Sequence, residues 1–431
     1  MMRDLSPRRH FSRAMPTLLL LLACGLLASC APRKEQGVVL KFWAMGREGE
    51  VVTALMPEFE RTHPGVRVEV QQLPWTAAHE KLLTAFAGDV MPDIFQLGNT
   101  WVPEFAVLGA LLPLDAQVAA SKLVTPADYF PGIWDTNIVD GKLWGAPWYI
   151  DTRVLFYRRD MLAQAGYAKP PQTWAEWMKA MSAIKRRVGP DNYAILLPSE
   201  EFEPLLALAL QNDEPLLRDG GRYGNFRSAG FRRSLQLYAD MYAQKLAPMN
   251  RITNVYHEFG MGYVSFYISG PWNMGEFKRR LPADQQENWM TAILPGPSGP
   301  AASIAGGSSL ALSASSKHPR EAWQLIEYLS RTDTAARFHE LTGDLPPRRS
   351  NWNAPRLAND VYAQAFRQQF ERVKPAPKVP EWERIATEMR LVAERVTHGE
   401  LTVDEAVVAL DAKADHILEK RRWMLARKEG R

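Results

Sequence analysis

The chain has 431 residues, with 52 Lys and Arg against 48 Asp and Glu, and only two cysteines, Cys24 and Cys30. From residue 30 onward the balance is 48 basic to 47 acidic, which leaves no excess for the basic stripe that a nucleic-acid partner requires. Both cysteines lie in the first 30 positions, so disulfides, a CxxC redox pair and thiolate metal sites are excluded from the body of the chain.

Residues 1–29 read as an export signal. Arg3, Arg8, Arg9 and Arg13 form a basic n-region, and Leu18 to Ala28 is an apolar or small-residue run about half as long as a membrane-spanning helix needs. Leu27-Ala28-Ser29-Cys30 looks like a bacterial lipobox, in which small residues suit the processing peptidase and the Cys30 thiol receives the lipid. An ordinary cleaved signal that happens to end in cysteine is the alternative. Arg8-Arg9-His10-Phe11 resembles part of a twin-arginine signal, so Sec and Tat export both stay open. Ala31 stands where an inner-membrane lipoprotein typically carries aspartate. The expectation is a lipid anchor at the outer membrane of a two-membrane cell, with the protein facing the periplasm. Cleavage before Cys30 leaves 402 residues, enough for two domains of ordinary size. Residues 30–37 are a short tether.

Val38, Leu40 and Phe42 alternate as a strand, and the loop Ala44 to Gly49 leads into a helical pattern at Val51, Val52, Leu55 and Phe59. His63-Pro64-Gly65 stops that helix, and Val66, Val68 and Val70 alternate again, so a parallel βαβ unit is the economical reading. A second helix carries Leu82, Leu83 and Phe86, and Pro92 to Leu97 is the next buried strand. A parallel sheet begun this way leaves its ligand site at the carboxyl ends of its strands. Asp140-Gly141 is a hairpin turn, and Val154 to Tyr157 is a strand. Thr173 and Glu176 have capping-box spacing at the start of a helix, as do Thr402 and Glu405 before a final helix with Ala406, Leu410, Ala414 and Ile417 on one face.

Fourteen tryptophans are present, and Trp101, Trp144, Trp148 and Trp272 sit beside glycine, proline or polar residues in segments without core periodicity. Sugars have apolar C–H faces and a rim of hydroxyls, so their sites want flat aromatic platforms with carboxylates, amides and arginine around them. Gly145 to Arg153 offers both kinds of group together. Loop tryptophans that merely seal sheet ends are the competing reading for each one alone.

The residues Phe59 to Val66, Pro92 to Phe95, Gly141 to Pro147, Leu155 to Asp160, Pro171 to Trp174, Ser269 to Asn273, Gly306-Gly307 and Leu345 to Arg348, in that order and spacing, resemble extracellular solute-binding protein family 1. These are the carbohydrate receptors of ABC importers related to maltose- and trehalose-binding proteins. The resemblance covers nearly all of the mature chain. It implies an α/β, two-lobed periplasmic-binding-protein-like fold (type II), each lobe a mostly parallel sheet flanked by helices, joined by a multi-strand hinge. The lobes would be 38–147 plus about 297–342, and about 148–294 plus 343–431, closing over a di- or oligosaccharide of the trehalose or maltose type. The implied partners are that carbohydrate and the ABC permease subunits. The protein would be a monomer without cofactor or metal, held to the membrane through its N-terminal lipid and binding no nucleic acid.

Position by position, the resemblance carries sugar contact onto Glu48 in the first loop, the pair Tyr149 and Asp151, the stacking Trp272, the glycine-lined approach at Gly307 and Ser308, and Arg348 after the proline pair, with Arg349 as its rival. A helix N-terminal charge competes at Glu48, and an ion pair with Arg153 competes at Asp151. Some relatives have an acid after the third strand where this chain reads Gln96-Leu97-Gly98-Asn99, so Asn99 or Gln96 takes that place. Asp93 orients its strand.

Two other function classes compete. An exported glycoside hydrolase would share the aromatic platforms and carboxylates, but the chain has no Gly-x-Ser-x-Gly, His-Glu-x-x-His, phosphate-loop or dinucleotide motif. The expectation is therefore a non-enzyme. A receptor for a non-sugar solute such as glycerol phosphate would want an arginine cluster at helix N-termini, and only Arg47 lies near the first helix start.

Overall fold

The computed structural model describes residues 37–429. The export signal, Cys30 and nearly all of the tether lie outside the described residues. Among the described residues, no helix is long and apolar enough to cross a membrane.

Strand β1 (Val38–Met45) pairs in parallel with β2 (Val66–Leu73) and β3 (Ile94–Gly98). The connecting helices follow the sequence pattern, with one shift. The helix after β1 begins at Gly46, directly behind the strand, so the predicted Ala44–Gly49 loop does not exist. Gly46 makes this possible, because it adopts φ +52 and a Cβ there would stand 2.8 Å from the Trp75 ring. A short hairpin of β4 (Ile138–Val139) and β5 (Lys142–Leu143) turns at Asp140-Gly141, both at positive φ as a tight primed turn requires. β6 (Ala146–Asp151) then joins the first sheet.

The chain leaves that sheet at Thr152 and Arg153, a few residues after the boundary at 147 that the resemblance implies. It enters a second sheet as β7 (Val154–Arg158). β8 (Ile195–Leu196), β11 (Phe266–Ser269) and β12 (Trp289–Ala292) complete this sheet, in the order β12-β7-β11-β8. Between them β9 (Leu217–Arg218) and β10 (Tyr223–Gly224) form a small hairpin. The return path uses β13 (Ser303–Ile304), which pairs with β15 (Val373–Lys374), and β14 (Gly306–Leu312), which inserts between β3 and β6.

The first sheet therefore reads β2-β1-β3-β14-β6. The fold is the expected α/β architecture with two sheets, but the sheets are mixed. β14 is antiparallel to both its neighbours, and β7 is antiparallel to β11 and β12. β14 re-enters the first sheet from the second and runs against both β3 and β6.

Each sheet buries both faces. Leu40, Phe42 and Leu310 pack on one side of the first sheet, and Met45, Phe95 and Ala311 on the other. Leu155, Tyr157 and Ile268 face one side of the second, and Val154, Phe156 and Tyr267 the other. This is the period-2 alternation of a strand with apolar layers on both sides. Both capping boxes are formed: Thr173 accepts from the Glu176 amide at 3.1 Å and Thr402 from the Glu405 amide at 3.2 Å. Asp93 accepts from the Lys41 amide at 2.9 Å and from Ser316 at 2.6 Å, tying β1 to β3 and to the loop behind β14.

Candidate functional site

Strand direction gathers the site. The carboxyl ends of β1, β2, β3 and β6 and the amino end of β14 share one rim of the first sheet, since Ser308 pairs with Gly98 and Gly306 with Asp151. In the second sheet β8 and β11 run in parallel, and the segments after them carry Phe202 and Pro271 and, as the first residues of helices, Glu203 and Trp272. Between these rims lies a cavity of about 460 Å³, within the range of small-ligand sites.

Its walls are aromatic. Trp75, the first residue of its helix, and Trp101, at the end of the 3-10 turn after β3, meet edge to face at 5.8 Å. Trp272, 42% exposed, stands on the second-sheet side. Five acidic residues line the same space, Glu48, Asp151, Glu203, Asp344 and Glu383, against the single guanidinium of Arg153.

Arg153 organises the second wall. It is 5% exposed, donates to Asp151 at 3.1 Å, reaches Glu203 at 3.2 Å, and lies over the Trp272 ring with 4.8 Å to the centroid. Burial works against its charge, but Asp151 and Glu203 outweigh burial and hold it firmly protonated. Burial also raises the Asp151 carboxyl, an effect that Arg153 offsets in part. On the first wall, burial raises Glu48, while hydrogen bonds with its own backbone, Tyr149 and Trp75 pull the other way. Asp344 is pushed up to about 8 by burial and then by the Glu48 charge, so at neutral pH this pair retains a proton. Burial also pushes up Glu383, opposed by a hydrogen bond with Thr100.

Of the residues picked out in the sequence, Glu48, Asn99, Tyr149, Asp151, Trp272 and Gly307 all line this cavity. Glu48 does so from the first turn of a helix rather than from a loop. Asn99 takes the place open to the cavity, with its amide donating to the Gly306 carbonyl at 3.1 Å and its oxygen accepting from Ser309 at 3.1 Å. Gln96 is fully buried behind it, accepting from the Met45 amide at 2.7 Å and donating to Tyr149 and Ser308. Gly307 sits at φ +112, where a Cβ would collide with the Tyr149 carbonyl at 2.3 Å. Its glycine answers to strand β6, not to a ligand.

Two expectations need correction. Ser308 is fully buried, and its hydroxyl donates to Tyr149 at 3.0 Å beneath the cavity floor. Arg348 lies elsewhere: its guanidinium donates to Asp128 at 2.7 Å and to the Ser330 carbonyl at 2.8 Å. The rival Arg349 is paired with Glu371 at 2.6 Å. Two of the tryptophans are structural. Trp148 is buried on β6 and stacks on Phe338 at 4.5 Å, and Trp144 donates to the Val139 carbonyl at 3.0 Å.

Sequence reasoning missed Trp75, Glu203, Asp344 and Glu383. Trp75 had a usable signal, since it follows the carboxyl end of β2, where a parallel sheet places ligands. The three acids come from distant segments that only folding assembles.

Residues 45–336 match the family model of bacterial extracellular solute-binding proteins. The sugar-binding protein MalE of Xanthomonas citri is similar in structure, with a TM-score of 0.88 and 58% identity over 90% of this chain and 99% of that one. The GacH receptor of Streptomyces glaucescens, solved unliganded and with acarbose, has a TM-score of 0.77 and 25% identity over 89% of this chain and 99% of that one. The diacetylchitobiose binding protein DasA of Streptomyces coelicolor is 25% identical over 80% of this chain and 81% of its own length.

Proposed function

The chain belongs to the bacterial extracellular solute-binding proteins, and we propose that within that family it is the sugar receptor of an ABC importer. It captures a di- or oligosaccharide of the trehalose or maltose type between its two lobes and delivers it to the permease. The observation that carries this reading is the pairing of aromatic walls at Trp75, Trp101 and Trp272 with carboxyl groups at Glu48, Asp151 and Asp344 in one cavity. Indoles cover the C–H faces of sugar rings, and carboxylates accept from hydroxyls. Relatives whose names or solved complexes describe sugar ligands support the same reading. A lining with one guanidinium among five acidic residues, Asp344 protonated at neutral pH, offers no cationic cluster for a phosphate, which counts against a glycerol-phosphate receptor.

The lobes are 38–151 with about 297–342, and about 152–294 with 343–431, closing over the sugar. The protein is exported, anchored as a monomer by lipid on Cys30, and faces the periplasm.

Thermal unfolding against a sugar panel tests the assignment. A true ligand at 100 times its Kd stabilises the fold by about 2.7 kcal/mol. Failure of trehalose, maltose and longer glucans to shift the midpoint would remove the sugar assignment. Asp344, kept protonated at neutral pH in the same cavity as Glu48, is the kind of acid that a glycoside hydrolase would also need. The same sample therefore decides the enzymatic alternative. The receptor leaves its sugar intact over hours, whereas reducing ends released in step with pure protein would make it a hydrolase.

A further inference from the structure

The charge of the chain is unevenly placed. Its last twelve residues carry six Lys and Arg against a single acid, whereas residues 30–419 carry 42 against 46. A basic end on an otherwise slightly acidic protein is the pattern of an interaction tail.

Most of that end is one helix, Glu419–Glu429, and its two faces differ. The inner face is fastened to the second lobe. Leu418 is fully buried just before it and Leu425 is half-buried within it. The Arg422 guanidinium donates to the Asp415 carbonyl at 2.7 Å and to the Arg222 carbonyl at 3.0 Å, and lies 4.8 Å from the Tyr223 ring centroid. The opposite face carries Lys420, Trp423, Met424 and Arg427, all exposed and spaced i, i+3, i+4, i+7 as one helical stripe. Trp423 is 56% exposed, and the Arg427 guanidinium stands 4.1 Å from its ring centroid. None of the four lines the cleft.

Tryptophan among lysine and arginine suits a lipid headgroup boundary. The indole enters the interface, while the long cationic stems keep their charges at the phosphates. Each cation adds attraction to an anionic bilayer. An acidic protein fits less well. An eleven-residue helix is about 16 Å long. Its outer stripe falls far short of the roughly 800 Å² per partner that a stable protein interface buries, whereas a bilayer surface needs no matched contour.

We propose that the outer face of the C-terminal helix docks on a membrane surface containing anionic phospholipid, with Trp423 and Met424 entering the headgroup layer and Lys420 and Arg427 meeting lipid phosphates. The proposal concerns where the protein sits, not what fills its cleft, and stands independently of the sugar assignment. So short an apolar stripe gives a reversible, salt-sensitive contact rather than an anchor. A lipid on Cys30 would hold the chain at the same surface, and the helix would then select the side of the protein that faces it.

Vesicle sedimentation tests this, in Cys30→Ala protein so that no acyl chain contributes. That protein should sediment with phosphatidylcholine vesicles containing about one-third phosphatidylglycerol and not with phosphatidylcholine alone. Molar salt, where the Debye length is about 3 Å, should release it. Each cation removed should lower the partition coefficient about fivefold, so Lys420→Gln with Arg427→Gln should lower it about 25-fold. Trp423→Ser should weaken binding while leaving its salt dependence in place. Thermal midpoints and sugar affinity of these variants should match the parent, because the substituted side chains are exposed and lie outside the cleft. Equal sedimentation with both kinds of vesicle, sedimentation with neither, or binding that survives both sets of substitutions overturns the inference. Capture of the parent, but not of the double variant, by an immobilised acidic protein without any vesicle binding overturns it in favour of a protein partner.

Discussion

The Arg153 guanidinium and the Trp272 indole form one surface of the cleft: the cation lies 4.8 Å over the ring while its two ends hold Asp151 and Glu203. The platform and the hydroxyl acceptors on that wall are therefore positioned by a single buried side chain.

Trp272→Ala removes the platform. Because the ring is 42% exposed and lies outside the hydrophobic cores, the fold should lose under about 1 kcal/mol. Affinity for the best sugar should fall about tenfold or more, since aromatic burial dominates such sites. Trp272→Phe should recover part of the loss. Calorimetric titration beside thermal unfolding checks both halves, and an affinity equal to wild type would take Trp272 out of the site.

Asp151→Asn and Arg153→Ala should separate binding from stability. Asp151→Asn leaves Arg153 its partner Glu203, so stability changes little while affinity drops by about 10- to 150-fold with the lost charge-assisted bond. Arg153→Ala leaves two carboxylates facing each other. Their side chains are 22% and 26% exposed, so the cost should sit near the low end of the about 3–5 kcal/mol seen when a fully buried pair is broken. If Asp151→Asn binds like wild type and unfolds more easily, Asp151 serves only the ion pair.

The way these residues were reached shows what the sequence could carry. The alternation Val38, Leu40, Phe42 and the two Thr…Glu capping boxes are local rules, satisfied by near neighbours, and the structure obeys them. The rim composed of β1, β3 and β14 was legible only in part, because its parallel strands were visible in the pattern but the antiparallel insertion of β14 was not. Ser308 shows the resulting error. Which face of a strand a residue occupies depends on pairing that the sequence does not show: Ser308 shares the face of β14 that buries Leu310 and Leu312. Arg348 failed for a different reason. A charge near a site is informative only once its partners are known, and Asp128 lies 220 residues away in sequence. Glu203, Asp344 and Glu383 carried no motif at all; their meaning comes from converging on one cavity.

The anchor assignment predicts a location and a mass. Wild-type protein should partition with membranes, and Cys30→Ala should be released in soluble form. Mass spectrometry of the mature N-terminus should find Cys30 diacylglyceryl-modified, and an unmodified residue there would end the lipoprotein assignment. Neither outcome bears on sugar affinity, because the site is built entirely from residues beyond Gly37.

Asp344 makes the empty protein's stability fall as pH rises. Unfolded, an aspartate titrates near 3.9; folded, burial and the neighbouring Glu48 charge raise Asp344 to about 8. Below pH 4 both states hold the proton and the group contributes nothing. Between about 4 and 8 the folded state holds a proton that the unfolded state has lost, so the unfolded state gains with each rise in pH, by up to about 1.4 kcal/mol per unit. Above about 8 both are ionised and the slope from this group ends. The unfolding midpoint should thus decline from pH 5 to pH 8, and Asp344→Asn, which cannot ionise, should flatten that decline and be the more stable protein at pH 8. A bound sugar that donates a hydroxyl to Glu48 stabilises its ionised form, and the charge on Glu48 in turn favours the proton on Asp344. Affinity should therefore weaken as pH passes 8 in the wild type and stay level in Asp344→Asn. Titration calorimetry at pH 6, 7, 8 and 9 reads this directly, and a pH-independent affinity in the wild type would remove Asp344 from the binding site.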